Sequence, residues 1–455
     1  MDNISKFFNP KTVAVVGASR NPNKIGHIIL SNFIDGFRGK IFPINPNIDK
    51  ILRHRCYPSI FSVREKIDLV VIAVPAPLVP EVLDECGKKK VGACIIVSGG
   101  FRESGKIDLE KRMEKIVKKY KTRVIGPNCI GIYDPYSGID TIFNPRYKLE
   151  RTEKGSISFI SQSGATMSVI MDWMAMRKYK TSKLVSYGNA IDVDEADLVE
   201  YLGNDKKTSV ICLYVEGVSR GKKLMNSMKK TSRKKPIVAM KAGVTEAGKG
   251  AALSHTGSLA GHSDVYHAAF KQSGVLLAND LEQMFDFARV LSTQPKPSGK
   301  RVQIITDGGG FGVISTDWLI KNGMEIAEMD EKNRERIMKL VPPHASVEGV
   351  IDLTGDATAG MYKECIDASM DDENVDIVFV VALFQPPMLT SDLVEILIEE
   401  TARKKKPVIV VSAGGSYTDV LKKSLEENGV PCFSYPRGAA EAAKCLYNYS
   451  KIKYS

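Results

Sequence analysis

The stretch "ISFISQSGATMSVIMDW" (157–173) recurs later in the chain as "VQIITDGGGFGVISTDW" (302–318). Each copy contains an apolar run, a hydroxyl residue, a glycine-containing turn and a segment ending in Asp-Trp, and it holds one of the protein's two tryptophans. Two further pairs follow in the same order, at 188–192 with 348–352 and at 233–243 with 404–414. Three ordered matches indicate an internal repeat. Strand, turn and helix in succession are typical of βαβ units, so the repeat predicts two flavodoxin-like, doubly wound parallel-sheet domains.

The first third of the chain also alternates short apolar runs with helical stretches. Its apolar runs, such as "VAVVGAS" (13–19), "IDLVVIAVP" (67–75) and "GACIIVSGG" (92–100), end in Gly, Ser, Pro or Asn. This pattern predicts a Rossmann-like parallel sheet with a ligand crevice at its carboxyl edge.

Two linkers separate these regions, a charged one at 146–155 and a Pro- and Gly-containing one at 293–300. We therefore predict α/β domains at 1–140, 150–292 and 300–455. Three domains also agree with a length of 455 residues, since domains average roughly 150 residues.

The ligand of the first domain is not predicted to be NAD. Its first turn, "GASRNPNKIG" (17–26), lacks the G-x-G-x-x-G fingerprint. The second strand ends in Asn45-Pro46, where a dinucleotide enzyme usually places an acidic residue for the ribose. A different phosphate-bearing nucleotide fits this turn.

The composition, 43% hydrophobic and 26% charged, is that of a globular protein. We find neither a signal peptide nor a long apolar run, so we expect a cytoplasmic protein without a membrane segment. The eight cysteines form no C-x-x-C pair and are predicted to be reduced core thiols, with no metal site. The net charge is +11, but the basic runs at 88–90 and 403–406 lack interleaved aromatic residues, which indicates solvated faces rather than a nucleic-acid site.

The two repeated turns are candidate phosphate sites. A helix N-terminus offers unpaired N–H groups and a positive dipole end, and glycine lets the backbone approach an anion. The alternative is that the glycines only make tight strand-to-helix connections. Asp307 complicates the second turn, because its carboxylate could cap the helix or repel a phosphate. The candidate residues are Ser161, Gln162, Ser163 and Gly164 in the first turn and Gly308, Gly309 and Gly310 in the second.

Two further residues are candidates for group-transfer chemistry. Glu216 follows the apolar run of "ICLYVEG" (211–217), and such a carboxylate can orient an imidazole through one ring nitrogen. The alternative is a surface glutamate at a strand end. His255 stands among small residues in "AGKGAALSHTGSLAG" (247–261), which by itself also fits a flexible surface loop.

Together, "SQSGA" (161–165), "LYVEG" (213–217), "SHTGSLAG" (254–261) and "GPNC" (126–129) resemble the nucleoside-diphosphate-forming acyl-CoA synthetases, the superfamily of succinyl-CoA synthetase. The domain order resembles the α subunits of archaeal ADP-forming acetyl-CoA synthetases, over essentially the whole chain. The resemblance implies that His255 is phosphorylated during turnover and that its glycine-rich segment swings between two sites. It also implies that CoA binds in the first domain, at Gly17, Ser19, Lys24, Pro43, Asn45, Val74, Ser98, Gly99 and Asn128.

The same resemblance implies a reversible reaction in which acetyl-CoA, ADP and phosphate give acetate, ATP and CoA through an acyl phosphate. ADP or ATP with Mg is expected on a partner β subunit with an ATP-grasp domain, in an α2β2 heterotetramer. An aryl, branched or succinyl group would leave these motifs unchanged. A non-catalytic CoA-binding regulatory protein is the alternative from another class. Cys129 is assigned no chemistry, since a core cysteine explains it equally well.

Overall fold

The computed structural model describes residues 4–248, 250 and 263–452. His255 and its immediate neighbours lie outside the described residues. The chain divides into two compact units, Met1–Leu277 and Ala278–Ser455. The first unit contains two large sheets and the second unit contains one.

The first sheet is parallel throughout, in the order β2-β1-β5-β6-β7. Its central strands are continuous runs of buried Val, Ile, Leu, Ala and Cys, as expected for strands covered by helices on both faces. The Rossmann-like prediction is confirmed. Its strands are β1 (Thr12–Val16), β2 (Lys40–Ile44), β5 (Leu69–Ile72), β6 (Ala93–Ile96) and β7 (Arg123–Ile125), and a small hairpin adds β3 (Lys50–Ile51) and β4 (His54–Arg55). The helices of this part are α1 (Ser5–Phe8), α2 (Ile25–Gly36), α3 (Val79–Lys88) and α4 (Ile107–Tyr120), with short 3₁₀ turns at Ile60–Ser62, Ala76–Leu78 and Arg102–Ser104.

The second sheet has the order β14-β13-β12-β10-β11-β8-β9. Five strands are parallel, whereas β8 and β9 add an antiparallel edge built from residues that directly follow the first sheet. The sequence did not predict this edge. The strands are β8 (Gly131–Asp134), β9 (Ile139–Asp140), β10 (Lys154–Ser161), β11 (Thr181–Ser186), β12 (Val210–Val215), β13 (Ile237–Lys241) and β14 (Leu276–Leu277). The helices are α5 (Gly164–Met176), α6 (Glu195–Asn204), α7 (Gly221–Ser232) and α8 (Ser263–Gln272).

Helix α5 shows how the repeated segment folds. Its buried side chains Met167, Ile170, Met171 and Met174 recur at helical spacing and are 1% exposed or less. Burying each of them contributes about 1.5–3 kcal/mol. This face fixes the helix against its sheet, and thereby fixes where its N-terminus points.

The sheet of the second unit repeats the strand order of the second sheet. Strands β16-β15-β18-β19-β20 correspond to β11-β10-β12-β13-β14, and β17 also pairs with β15. The predicted flavodoxin-like repeat is confirmed. The strands are β15 (Arg301–Thr306), β16 (Glu325–Ile326), β17 (Val350–Asp352), β18 (Ile377–Val381), β19 (Val408–Val411) and β20 (Cys432–Phe433). The helices are α9 (Leu281–Thr293), α10 (Gly309–Lys321), α11 (Glu331–Met338), α12 (Ala359–Asp371), α13 (Asp392–Arg403), α14 (Ser416–Glu427) and α15 (Pro436–Ile452).

Helix α9 packs against α15, so the second unit begins before the predicted linker at 293–300. Within the described part of the chain, no helix is both long and apolar enough to span a membrane.

Candidate functional site

The turn between β10 and α5 builds one wall of a pocket. Ser163 is the N-cap of α5, and its hydroxyl accepts a hydrogen bond from the Thr166 N–H at 3.2 Å. The first N–H groups of the helix therefore lie at this turn, where an anion can accept hydrogen bonds from those that remain unpaired. Ser161 differs from its neighbours, because its side chain is fully buried. Its hydroxyl donates a hydrogen bond to the Ser163 carbonyl at 2.7 Å and so stabilises the turn.

Gln162 connects this turn to the end of the neighbouring strand β12. Its side-chain oxygen accepts hydrogen bonds from the backbone N–H groups of Glu216 at 2.8 Å and Gly217 at 3.0 Å. Two strand ends are thereby fixed side by side, because β10 and β12 are parallel neighbours.

Glu216 is only 8% exposed, so it is not a surface residue at a strand end. The Tyr214 hydroxyl donates to its Oε1 at 3.5 Å. Burial raises the pKa of Tyr214, and the Glu216 charge adds to this rise. The carboxylate therefore lies directly after the carboxyl end of β12, where it can contact a group bound beside the α5 N-terminus.

A cavity of about 420 Å³ lies at these two strand ends, within the first unit. Gln162, Ser163, Gly164 and Glu216, which the sequence analysis selected from separate motifs, all line it. Asn128, predicted for CoA, also lines this cavity. Ser161 does not, because its side chain is turned into the core.

A second, larger cleft of about 810 Å³ lies at the carboxyl edge of the first sheet. Seven residues predicted for CoA line it: Gly17, Ser19, Lys24, Asn45, Val74, Ser98 and Gly99. Pro43 does not, because it lies within β2, in register with Val15. Gly17 has a φ of +91°, and a Cβ there would lie 2.4 Å from the Ala73 carbonyl oxygen. This turn therefore needs glycine both for its conformation and for space.

The cleft and the cavity are adjacent. Val97 lines both, and a Cβ built on Gly99 in the cleft would lie 3.2 Å from Asn128 Oδ1 in the cavity. Cys129 lines the cavity but is 3% exposed, and its thiol donates to the Ile96 carbonyl. Burial raises the pKa of this thiol to about 12, as expected for a core cysteine.

The second repeated turn belongs to the second unit. Gly308 is the N-cap of α10, and Gly309 lines a groove of about 370 Å³. Gly308 and Gly310 do not line that groove. Asp307 does not cap the helix; its carboxylate accepts hydrogen bonds from the Leu383 N–H at 3.1 and 3.2 Å. Burial raises the pKa of Asp307 to about 6.

Several residues of the 420 Å³ cavity were not predicted from the sequence. They come from the connection between β11 and α6, and they include Tyr187, Asn189, Asp194 and Glu195. This connection contains "GNAID" (188–192), which the sequence analysis used only as evidence of the repeat. Among the described residues, no cluster of His, Cys, Asp or Glu side chains is suited to hold a metal ion.

A Rossmann-like cleft beside a cavity at a helix N-terminus of a flavodoxin-like domain is the arrangement expected for the class of CoA-binding ligases. Three family models agree with this class. They describe a CoA-binding domain at residues 11–135, a succinyl-CoA ligase like flavodoxin domain at 154–291 and a ligase-CoA domain at 302–451.

Curated relatives and a solved structure match the chain along its whole length. The ADP-forming acetate–CoA ligase II α subunit of Pyrococcus furiosus is 37% identical over 98% of this chain and 97% of the relative. The ADP-forming acetate–CoA ligase of Methanocaldococcus jannaschii is 39% identical over 98% of this chain, which spans 63% of that relative. The chain also superposes on the solved structure of acetyl-coenzyme A synthetase 1 of Ca. Korarchaeum cryptofilum in complex with phosphate and ADP, with a TM-score of 0.94 and 36% identity. The match covers 100% of this chain and 98% of the other chain.

The chain belongs to the family of ADP-forming acetate–CoA ligases, in the part that corresponds to their α subunits. The resemblance inferred from the sequence is confirmed, and with it the predicted enzyme class, an acid–thiol ligase.

Proposed function

We propose that this chain is the CoA-binding and phosphohistidine-bearing subunit of an enzyme that converts acetyl-CoA, ADP and phosphate to acetate, ATP and CoA, reversibly. One observation carries the proposal. The 810 Å³ cleft and the 420 Å³ cavity lie next to each other, with Val97 in both walls, and the cavity is lined by the α5 N-terminus and Glu216. A long nucleotide thioester and a phosphate ion are the two ligands that such adjacent sites suit.

In this proposal the nucleotide part of acetyl-CoA occupies the cleft, and its thioester reaches the cavity beside Asn128. Phosphate binds at Ser163 and Gly164, where backbone N–H groups and the helix dipole stabilise its charge. A phosphate oxygen attacks the thioester carbonyl, the carbon–sulfur bond breaks, and CoA leaves as acetyl phosphate forms.

The second step uses His255, which lies outside the described residues. Its imidazole attacks the phosphorus of acetyl phosphate, the phosphorus–oxygen bond to acetate breaks, and phosphohistidine forms. Glu216 accepts a hydrogen bond from the other ring nitrogen and stabilises the positive charge of the imidazole. The phosphoryl group then passes from His255 to ADP, which regenerates the histidine.

The nucleotide step is assigned to a partner β subunit with an ATP-grasp domain that binds ADP or ATP with Mg, in an α2β2 assembly. The name of the P. furiosus relative, an α subunit, supports a partner. The M. jannaschii relative supports the same division in another way, since over a third of its length lies beyond the match to this chain.

The acyl group is proposed to be acetyl because relatives that are 37% and 39% identical to the chain are named for acetate. A relative from Nitrosopumilus maritimus, 32% identical, is named for 4-hydroxybutyrate, so a larger acid is the alternative substrate.

The test compares the purified chain with the chain co-expressed with its partner. We expect the chain alone to bind CoA without making ATP, and the complex to make ATP from acetyl-CoA, ADP and phosphate. ATP formation by the chain alone would contradict the division between subunits. CoA binding without turnover in the complex, with a panel of acyl-CoAs, would favour a regulatory protein.

His255→Ala tests the phosphohistidine, with the exposed His267→Ala as its control. We expect His255→Ala to abolish ATP formation and keep CoA binding, and His267→Ala to behave as the parent. The bound phosphate should be lost in acid and survive alkali. Full activity of the alanine variant, or label stable in acid, would remove His255 from the pathway.

A further inference from the structure

One carboxyl group in the 420 Å³ cavity has no role in the proposed steps. Glu195 is the first residue of α6, lines the cavity and is 3% exposed. Among the described residues it forms no ion pair within 4.0 Å, in contrast to its neighbour Asp194, which pairs with Arg220 and Lys223. A buried carboxyl group without a cation is costly when it is charged.

A second buried polar group lies beside it. Tyr187 lines the same cavity and is 1% exposed, and its hydroxyl interacts with the Glu195 carboxyl group. Burial raises the pKa of Tyr187, and the nearby Glu195 charge raises it further. Tyr187 and Glu195 therefore form a buried polar pair at the wall of the cavity.

The groups around Glu195 shift its pKa in opposite directions. Burial raises its pKa to about 7, and the Asp194 carboxylate adds to this effect, whereas the Tyr187 hydroxyl and Arg220 oppose it. Glu216 and Tyr266 are the other titratable groups whose interactions reach this pair. Glu195 is therefore present in both protonation states near neutral pH, which suits a group that accepts and returns a proton.

The reaction needs such a group. When hydrogen phosphate attacks a thioester, the phosphate loses one proton and the departing sulfur of CoA gains one. In the proposed function, phosphate binds at the α5 N-terminus and the thioester lies beside Asn128, and Glu195 lines the same cavity. Glu216 is less suited to this transfer, because it lies with Tyr214 at the end of β12 and is assigned to His255.

We propose that Glu195 is a further catalytic residue, which takes the proton from the attacking phosphate and delivers it to the sulfur of CoA. The oxygen–carbon bond forms and the carbon–sulfur bond breaks, and the proton moves from the phosphate hydroxyl to the carboxylate and then to sulfur, so Glu195 ends as it began. Tyr187 is the positioning residue, with its hydroxyl directed at the carboxyl group. This inference rests on the proposed function.

The experiment measures single-turnover release of CoA from acetyl-CoA by the full chain, with and without phosphate, across the neutral pH range. The concentration of the hydrogen phosphate dianion is held constant at every pH, because phosphate itself titrates in this range. Glu195→Gln is compared with Glu200→Gln, an exposed glutamate on the same helix. We expect Glu195→Gln to lower the phosphate-dependent rate by about 10²-fold and to abolish the inflection near neutral pH, with CoA affinity unchanged. Glu200→Gln should keep both the rate and the inflection.

Two more variants separate catalysis from structure. Glu195→Asp keeps a titratable group, so it should retain the inflection at a reduced rate. Tyr187→Phe should move the inflection to higher pH, because the hydroxyl lowers the pKa of Glu195. A Glu195→Gln variant that equals Glu200→Gln in rate, or that retains the inflection, would overturn this inference alone. A parent chain that releases no CoA with phosphate would instead overturn the proposed function.

Discussion

Gln162 and Glu216, 54 positions apart in the chain, are joined by a 2.8 Å hydrogen bond from the Glu216 backbone N–H to the Gln162 side-chain oxygen. The same oxygen accepts from the Gly217 N–H. The helix N-terminus at Ser163 and the carboxylate at the end of β12 are thereby held at one cavity, although each comes from a different strand.

Removing this acceptor should loosen the site. We expect Gln162→Ala to lower the free energy of unfolding by about 1–3 kcal/mol, because two N–H groups lose their partner. Gln162→Glu keeps an acceptor oxygen and should leave stability nearly unchanged. Its added negative charge should raise the KM for phosphate by about tenfold, equivalent to about 1.4 kcal/mol of repulsion. Denaturant unfolding and phosphate titration measure these effects; equal phosphate KM values for the parent and the Glu variant would contradict phosphate binding at this turn.

Glu216→Gln tests the role of the carboxylate toward the histidine. The amide keeps the shape and a hydrogen-bonding oxygen but loses the charge that stabilises a cationic imidazole. We expect the single-turnover rate of His255 phosphorylation from acetyl-CoA and phosphate to fall by about 10²-fold or more, with CoA affinity unchanged. If the rate stays within twofold of the parent, a different carboxylate performs this task.

Gly188→Ala should disturb the cavity through the backbone. Gly188 has a φ of +60°, and a Cβ there would lie 2.2 Å from the Pro127 carbonyl oxygen. We expect a loss of about 2 kcal/mol or more in unfolding free energy, together with a lower rate of CoA release. Gly221→Ala is the control, since a Cβ there meets nothing within 4 Å at the start of α7. Thermal unfolding of both variants decides the matter, and equal stabilities would show that the loop relaxes freely.

Asp307→Asn should change how the stability of the second unit depends on pH. The folded-state pKa of Asp307 is raised from 3.8 to about 6, so its buried charge costs stability above pH 6 and protonation relieves that cost at lower pH. As the pH rises from about 4 to about 6, the free energy of unfolding of the parent should fall by up to about 3 kcal/mol relative to that of the Asn variant. Asp317 is exposed, so the stability of Asp317→Asn should depend on pH in the same way as that of the parent. Unfolding curves at several pH values test this, and a constant difference between parent and Asp307→Asn would refute it.

The amino-acid sequence alone determined the parallel α/β class, the repeat and the residues at strand ends. These features are local: buried parallel strands read as continuous apolar runs, and a strand-to-helix turn carries its glycines and capping residues within a few positions. Ser163, Gly164 and Glu216 were therefore predicted from their immediate neighbours, whereas Gly17 was predicted from the family resemblance, and the structure places each at a cavity or cleft. Their chemical roles remain predictions.

Tertiary structure decided which of these ends meet and which side chains face the cavity. Contacts between distant segments create the antiparallel edge at β8 and β9 and place Val97 in the walls of both cleft and cavity. They also direct the side chains of Tyr187 and Glu195 to the cavity. The same contacts turned Ser161 into the core and Asp307 toward the Leu383 N–H. Neither outcome follows from spacing, because the direction of a side chain at a strand end is set by the neighbouring strand, whose order in the sheet is a long-range property.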